Sequence, residues 1–298
     1  MKRIILLALM LLMLTSCLND NYSNEDNTNN DTNDSSNENN NGFANIDDSN
    51  ADMNKKIKAV WWWNDSLSDE YLDFAYSNGI NTIYYCSSKF NDETNTFIGK
   101  ANSYNIDVYF LTGDYSWIEN RTGLYNIIIK FEEYQASYNN KFKGIHFDIE
   151  PHQHPQFSQR RAELIGYLID IAYDLSNKNY DIEYDIPFWL DDIIIRNNIE
   201  KKAFEWIIDY ADNITIMSYR DSKSAILDVA KDEYIYAASI NKNIMVSVET
   251  YSLEGDFVSF YEEGKEYMIS VINDIYDDEI SGINGIAIHH IQRWYEMD

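Results

Sequence analysis

The chain has 298 residues, with 50 Asp and Glu against 23 Lys and Arg and a formal net charge of −27 at pH 7. So acidic a surface repels phosphate backbones and anionic headgroups, which excludes nucleic acid as a partner and leaves neutral or cationic ones. Aromatic residues make up 15 %, including 24 Tyr and 7 Trp, more than a core alone uses; flat rings in a cleft suit sugar faces, although a compositional bias toward Tyr, Asn and Ile produces the same count.

At the N-terminus, Lys2 and Arg3 precede an apolar run over residues 4–14, which ends at Leu14-Thr15-Ser16-Cys17. The run is too short to span a bilayer as a stable helix and has the layout of a secretory signal. Small residues before a cysteine at this place resemble a bacterial lipobox. The resemblance implies that residues 1–16 are a lipoprotein signal peptide and that Cys17 carries lipid on its thiol and new amino group. A plain secretory signal with a chance cysteine is the alternative. Each buried CH2 contributes about 0.8 kcal/mol, so several acyl chains anchor a protein without a transmembrane helix. The expected location is outside the cytoplasm, on the cell membrane or the outer membrane, with the membrane as partner through Cys17. The rest of residues 17–50 is dominated by Asn, Asp and Ser. It cannot bury enough surface to offset chain entropy and reads as a disordered tether. The other cysteine, Cys86, lies in an apolar run and reads as a small core residue rather than a reactive thiol.

Residues 51–298 alternate short apolar, β-prone runs with longer amphipathic segments. The runs are 58–63, 81–86, 107–111, 144–149, 181–188, 214–218, 244–248 and 285–289. Their centres lie roughly 22 to 40 residues apart, room for a strand, a loop and a crossover helix each. Ser68 suits a helix N-cap, Asp69 and Glu70 the positive end of the dipole, and Gly79 the stop. Residues 161–177 are apolar at 164, 165, 168, 169, 171, 172 and 175, a buried stripe at helical spacing. Another helix is expected within 253–278. Strand–helix alternation points to a parallel sheet covered by helices, and eight units fit a closed (β/α)8 barrel. A doubly wound open sheet is second, because Trp62-Trp63-Asn64-Asp65 after the first strand offers no glycine-rich phosphate loop. The chain ends soon after the eighth strand, so the last helix is expected to be reduced or absent.

In such barrels the active site lies at the carboxyl ends of the strands. Polar residues there are Asn64 and Asp65; Ser87 and Ser88; Asp114; Asp148 and Glu150; Asp185 with Trp189; Tyr219, Arg220 and Asp221; Glu249 and Tyr251; and His289 and His290. The densest cluster is Gly144-Ile145-His146-Phe147-Asp148-Ile149-Glu150-Pro151. Strand alternation puts His146, Asp148 and Glu150 on one face. Buried carboxylates two residues apart repel, which raises one pKa and can keep it protonated as a general acid. The competing reading is a capping or ion-paired acidic pair at a strand end. Trp61 and Trp63 fall on one face of the first strand and Trp62 on the other. Trp63, with Trp117, Trp189 or Trp294, could form a sugar platform, although core packing is the commoner fate of such rings.

The run from Gly144 to Glu150 resembles the fourth-strand signature of the chitinase-like glycosidases, glycoside hydrolase family 18, in which a glycine and apolar residues lead into Asp-x-Asp-x-Glu. The resemblance implies that Glu150 protonates the glycosidic oxygen and that Asp148 orients an N-acetyl group acting as internal nucleophile. Met217-Ser218-Tyr219 resembles the family's Met-x-Tyr, which implies that Tyr219 hydrogen-bonds the N-acetyl group. Lys143 and His146 stand where the family has earlier aspartates. Leu111-Thr112-Gly113-Asp114 matches its Ser-x-Gly-Gly only at Gly113. Its strand-eight tryptophan falls at His289, with Trp294 nearby.

Other readings remain open. Glu249 ends the seventh strand and could be a nucleophile paired with Glu150 in a retaining glycosidase, or a charge paired with Arg220 or Arg293. The five histidines, His146, His152, His154, His289 and His290, invite a metal reading. Strands four and eight lie opposite one another across a barrel, however, so hydrogen bonding to hydroxyls or carboxylates is expected and no metal or cofactor. The residues expected to bind substrate are Trp63, Asp114, Asp185, Trp189, Arg220, Glu249, His289 and Trp294, with Glu150, Asp148 and Tyr219 catalytic. The expected activity is glycoside hydrolysis, with a non-catalytic glycan-binding barrel as the alternative and a metal-dependent hydrolase or deacetylase third.

Overall fold

A computed structural model describes residues 56–63, 67–87 and 89–298. The signal segment, Cys17 and the tether, together with Asn64, Asp65 and Ser88, lie outside the described residues.

Eight parallel strands close into a barrel. In order around it they are β1 (Ile57–Trp62), β2 (Thr82–Cys86), β3 (Asp107–Thr112), β4 (Gly144–Phe147), β5 (Asp181–Pro187), β8 (Asn213–Met217), β9 (Ile244–Glu249) and β10 (Ile283–His289). Closure is made where β1 pairs β10, with Ile57 opposite Gly285 and Val60 opposite Ile288. All eight apolar runs are thus strands of one (β/α)8 barrel. Side chains alternate as a closed sheet requires. Ala59, Trp61, Tyr84, Cys86, Tyr109, Leu111, Met245 and Ala287 fill the barrel interior. Val60, Trp62, Ile83, Tyr85 and Phe110 face the helices.

The outer layer follows the sequence pattern closely. Helix α1 (Asp69–Ser77) has Ser68 at its N-cap, and Gly79 takes φ +74° just past its end. Helices α2 (Asp92–Ser103) and α3 (Thr122–Ser137) follow β2 and β3. In α4 (Phe157–Leu175) the buried residues are Phe157 and all seven of the apolar positions read from spacing. Helix α8 (Lys265–Asp277) is the helix expected within 253–278. The last helix, α9 (Ile291–Glu296), is short, in keeping with the expected reduction.

Between β5 and β8 the crossover is longer than one helix. It carries an antiparallel hairpin, β6 (Ile193–Arg196) and β7 (Ile199–Lys202), before α5 (Ala203–Tyr210). Asn197 and Asn198 both take left-handed φ (52° and 63°), the two-residue turn that suits the twist of a hairpin. Trp206 Nε1 donates to Ile194 O at 3.0 Å and ties the hairpin to α5. Helices α6 (Lys223–Val229) and α7 (Lys231–Ser239) make the next crossover.

Candidate active site

Strand ends bring most of the expected residues to one mouth. Glu150 follows β4 and begins the 3-10 turn Pro151–Gln153. It is 4 % exposed. Gln153 Nε2 donates to Glu150 Oε2, and His152 Nε2 lies 3.4 Å from Oε1. Burial, and Arg161 nearby, push His152 down to about 4, so it is neutral and does not offset a charge on Glu150. Burial first, then the neighbouring Asp148 and Asp185 charges, hold the Glu150 carboxyl well above the usual range despite the Gln153 hydrogen bond. The site thus favours the protonated form of Glu150.

Asp148 has a solvent-facing edge, but its Oδ1 is shut away without a hydrogen-bond partner. Burial and Asp185 push it up to about 7, against the opposing pull of His146 and His289. Its backbone is pinned where Asp148 N donates to Thr112 O at 2.9 Å. Tyr219 lies among Glu249, Asp185, Asp148 and Glu150; burial, then these four charges, raise its hydroxyl far above its ordinary value. It stays a neutral donor in the midst of acids.

Asp185 and Glu249 are each committed to a partner. Trp61 Nε1 donates to Asp185 Oδ2 at 3.0 Å. Glu249 Oε1 accepts from the amides of Thr250 and Tyr251, both at 2.8 Å, and Oε2 pairs with His289 Nδ1 at 2.8 Å. His289 Nε2 in turn accepts from Trp63 Nε1 at 2.8 Å. Burial opposes a charge on His289, yet Glu249 raises its pKa on balance. Glu249, His289 and Trp63 thus form one chain, and Tyr219 flanks it with its ring 5.9 Å from that of His289.

Trp189 and Arg220 sit on the rim. The Trp189 ring lies edge-on to His152 at 5.3 Å and under the Arg161 guanidinium at 4.7 Å. Arg220 lies over the rings of Phe188 and Phe257. Asp114 is not drawn into the acid cluster: its Oδ1 accepts from Ser116 N at 2.8 Å and caps the 3-10 turn Tyr115–Ile118.

Trp294 corrects an expectation. It is fully buried in α9, with its ring 4.8 Å from Phe74 of α1 and near Lys58 Nζ. Five residues beyond the strand, its direction is set by the helix, which faces the outside of β1, and it lines no sugar site. His290 is also set back; burial and His289 push it down to about 3.

Beneath the mouth lie His146 and Asp185, both named from the sequence, and Glu183, which sequence reasoning passed over. His146 Nδ1 is 3.0 Å from Glu183 Oε2 and its Nε2 is 2.8 Å from Asp185 Oδ1. The second contact is close but poorly aligned, so it counts as charge pairing rather than a directed hydrogen bond. His146 also stacks on Tyr84 at 3.6 Å. Burial opposes its charge, but Asp185 and Glu183 raise it to about 9, making it an imidazolium in the barrel interior. Glu183 and Asp185 alternate on β5 as Asp148 and Glu150 do after β4, and that spacing was the available signal. Among the described residues, no group of three or more His, Cys, Asp or Glu side chains is placed to hold a metal ion.

No family model matches the sequence, and no curated protein matches it. Among solved structures the chain is similar to a chitinase from Chromobacterium violaceum ATCC 12472, at 11 % identity over 80 % of this chain and 97 % of that one, TM-score 0.49. It is similar to the spore cortex-lytic enzyme SleL of Bacillus cereus, at 13 % identity over 81 % and 73 %, TM-score 0.48. It is also similar to a plant class V chitinase mutant from Cycas revoluta in complex with (GlcNAc)3, at 10 % identity over 80 % and 95 %, TM-score 0.46.

Proposed function

We propose that the protein is a lipid-anchored, extracytoplasmic glycoside hydrolase acting on glycans that contain N-acetylhexosamine, with Glu150 as general acid. The observation that carries this reading is a buried Glu150, whose surroundings favour its protonated form, beside an Asp148 whose inner oxygen has no partner. A general acid works best when it still holds its proton at the operating pH. In the proposed step Glu150 gives its proton to the glycosidic oxygen as the C1–O bond breaks. The substrate's N-acetyl oxygen closes on C1, while Asp148 accepts the amide N–H and the Tyr219 hydroxyl donates to the acetyl group. Glu150, now a carboxylate, then takes a proton from water, which attacks C1 and reopens the ring. A Glu249 nucleophile fits less well, because both of its oxygens are engaged.

Export and anchoring rest on the basic, apolar and lipobox-like segment ending at Cys17. The N-acetyl requirement rests on the resemblance at Asp148, Glu150 and Tyr219.

The test is hydrolysis of N-acetylglucosamine oligomers and peptidoglycan by the full chain in detergent, beside Glu150→Gln. Loss of the acid is expected to lower kcat at least about a hundredfold while substrate still binds, as removal of a general acid typically does. Turnover that survives in Glu150→Gln would remove Glu150 from the chemistry. No turnover by either protein, with sugar still bound, would make this a glycan-binding barrel.

A further inference from the structure

Of the six described arginines, Arg121, Arg160, Arg161, Arg196 and Arg293 each form an ion pair with a carboxylate. Arg220 has no carboxylate partner among the described residues; Asp221, its chain neighbour, is the one acid that acts on it. In a chain of net charge −27 this is unusual, because acids outnumber bases twofold. Arg220 is half-buried, and burial lowers its pKa. The face of its guanidinium is covered: its Cζ lies 4.9 Å from the Phe188 ring centroid and 5.8 Å from that of Phe257. The planar edge is another matter. One N–H, on Nη1, donates to the carbonyl of Tyr219 at 2.6 Å. A guanidinium has five in-plane donors, so the rest remain for a planar acceptor.

The location gives this edge a meaning. Arg220 directly follows Tyr219, which stands among the four acids of the mouth. Yet none of those acids acts on Arg220 itself, so its charge is not spent on neutralising them. Phe188 follows β5, and Phe257, on the segment after β9, is half exposed. Together they form an aromatic wall with a cation held against it, beside the acidic floor. A sugar ring can lie on such a wall, and a planar anion on that sugar would meet the guanidinium edge.

Resting on the glycosidase reading, we propose that Arg220 selects glycans carrying a carboxylate on a sugar bound next to the reacting one. Two kinds of sugar supply that group, a lactyl ether and a uronic acid. An acidic mouth repels such substrates unless one cation is kept free for them, and Arg220 is so placed.

The experiment compares matched pairs on the full chain in detergent. One arm uses peptide-free peptidoglycan glycan strands, whose muramic residues bear lactyl carboxylates. The other uses hyaluronan oligosaccharides, which alternate N-acetylglucosamine with glucuronic acid. Each is measured beside its carboxyl-reduced form. The acidic member of at least one pair is expected to have the higher kcat/KM, and the arm that responds names the source. Arg220→Gln is expected to lower the acidic-to-reduced ratio about tenfold to a hundredfold, the range of a charge-assisted hydrogen bond. Arg220→Lys, which keeps the charge on a different geometry, is expected to retain part of the preference and guards against a misfolded glutamine variant. Equal kcat/KM within both pairs overturns the proposal, as does a ratio unmoved in Arg220→Gln. If nothing is hydrolysed, the glycosidase reading has failed and the same pairs are compared by calorimetric binding. There, an acidic preference lost in Arg220→Gln upholds the role of Arg220, and equal affinity or no binding overturns it.

Discussion

His146 shows how much rests on one side chain inside the barrel. It lies between Glu183 and Asp185, 3.0 Å and 2.8 Å away, and sets its positive charge against both carboxyl groups in the interior. Asp185 also holds Trp61 and acts on Asp148 and Glu150, so the histidine supports the acid cluster from below. Breaking a buried ion pair by removing one partner leaves the other uncompensated and typically costs about 3–5 kcal/mol. His146→Gln keeps polarity and approximate size but removes the charge. Urea unfolding at pH 7 is expected to show a loss of about that size. A loss below about 1 kcal/mol would mean that the imidazolium is not needed to hold the interior together.

Among the elements, the approach of β3 to β4 sets the positions of Asp148 and Glu150, and a glycine permits it. A Cβ on Gly113 would lie 1.7 Å from the carbonyl oxygen of Asp148 and 2.4 Å from its carbonyl carbon. Neither is a flexible side-chain end, so the backbone after β4 would have to shift, carrying Asp148 and Glu150 with it. Gly113→Ala is expected to destabilise the fold by about 1–3 kcal/mol, as overpacking does. A misplacement near 1 Å can lower turnover about a hundredfold. Chemical denaturation and kcat/KM measured together test this, and an alanine variant as active as the parent would show that the contact relaxes elsewhere. Gly113 was also the single point of agreement with the third-strand motif, and its steric role makes that agreement physical. Other elements were legible for equally local reasons. Eight apolar runs gave eight strands, and the stripe of α4 fixed its buried face, because both patterns record burial directly. The hairpin of β6 and β7 was not seen, since Asn197-Asn198 joins two four-residue strands whose isoleucines are partly exposed and whose period is weak. At the site, strand position alone sets Asp148, Glu150, Glu249 and His289 at or just past strand ends, with Asp185 inside β5 against Trp61 and His146. It could not tell that Glu249 would be saturated by two amides and His289, or that Asp114 would cap a turn. Those outcomes depend on loop backbone geometry, which has no short sequence period.

At the scale of the whole molecule, proton uptake on folding has one dominant sign. His146 is raised from 6.5 to about 9, Asp148 from 3.8 to about 7, and Glu233 from 4.5 to about 8. Glu233 lies in the first turn of α7, 1 % exposed, with neither carboxylate oxygen hydrogen-bonded; burial is the main cause of its shift. Each of these groups holds a proton in the folded chain that the unfolded chain releases. Their contribution to stability is complete below the unfolded values and is lost as pH rises through the folded ones. Rising negative charge on a chain already at −27 acts in the same direction. Opposing groups exist: burial holds His152 down at about 4 and His290 at about 3, so their contribution grows as pH rises to their unfolded value of 6.5, and Arg160 and Tyr167 hold Glu163 down at about 2. It is an exposed residue whose ion pair is worth little, and its contribution is lost only as pH falls below the ordinary carboxylate range. The urea midpoint is therefore expected to fall between about pH 6.5 and about pH 9, where proteins stabilised by ionised carboxylates hold their stability. Glu233→Gln isolates one component of that slope. Near pH 4.5 the variant should match the parent, because both carry a neutral side chain there. At pH 9 it should be the more stable, because the parent must then bury a carboxylate without a partner. A parent midpoint that climbs between about pH 6.5 and about pH 9, or a variant that loses stability in parallel with it, would show that Glu233 finds a partner or reaches water once charged.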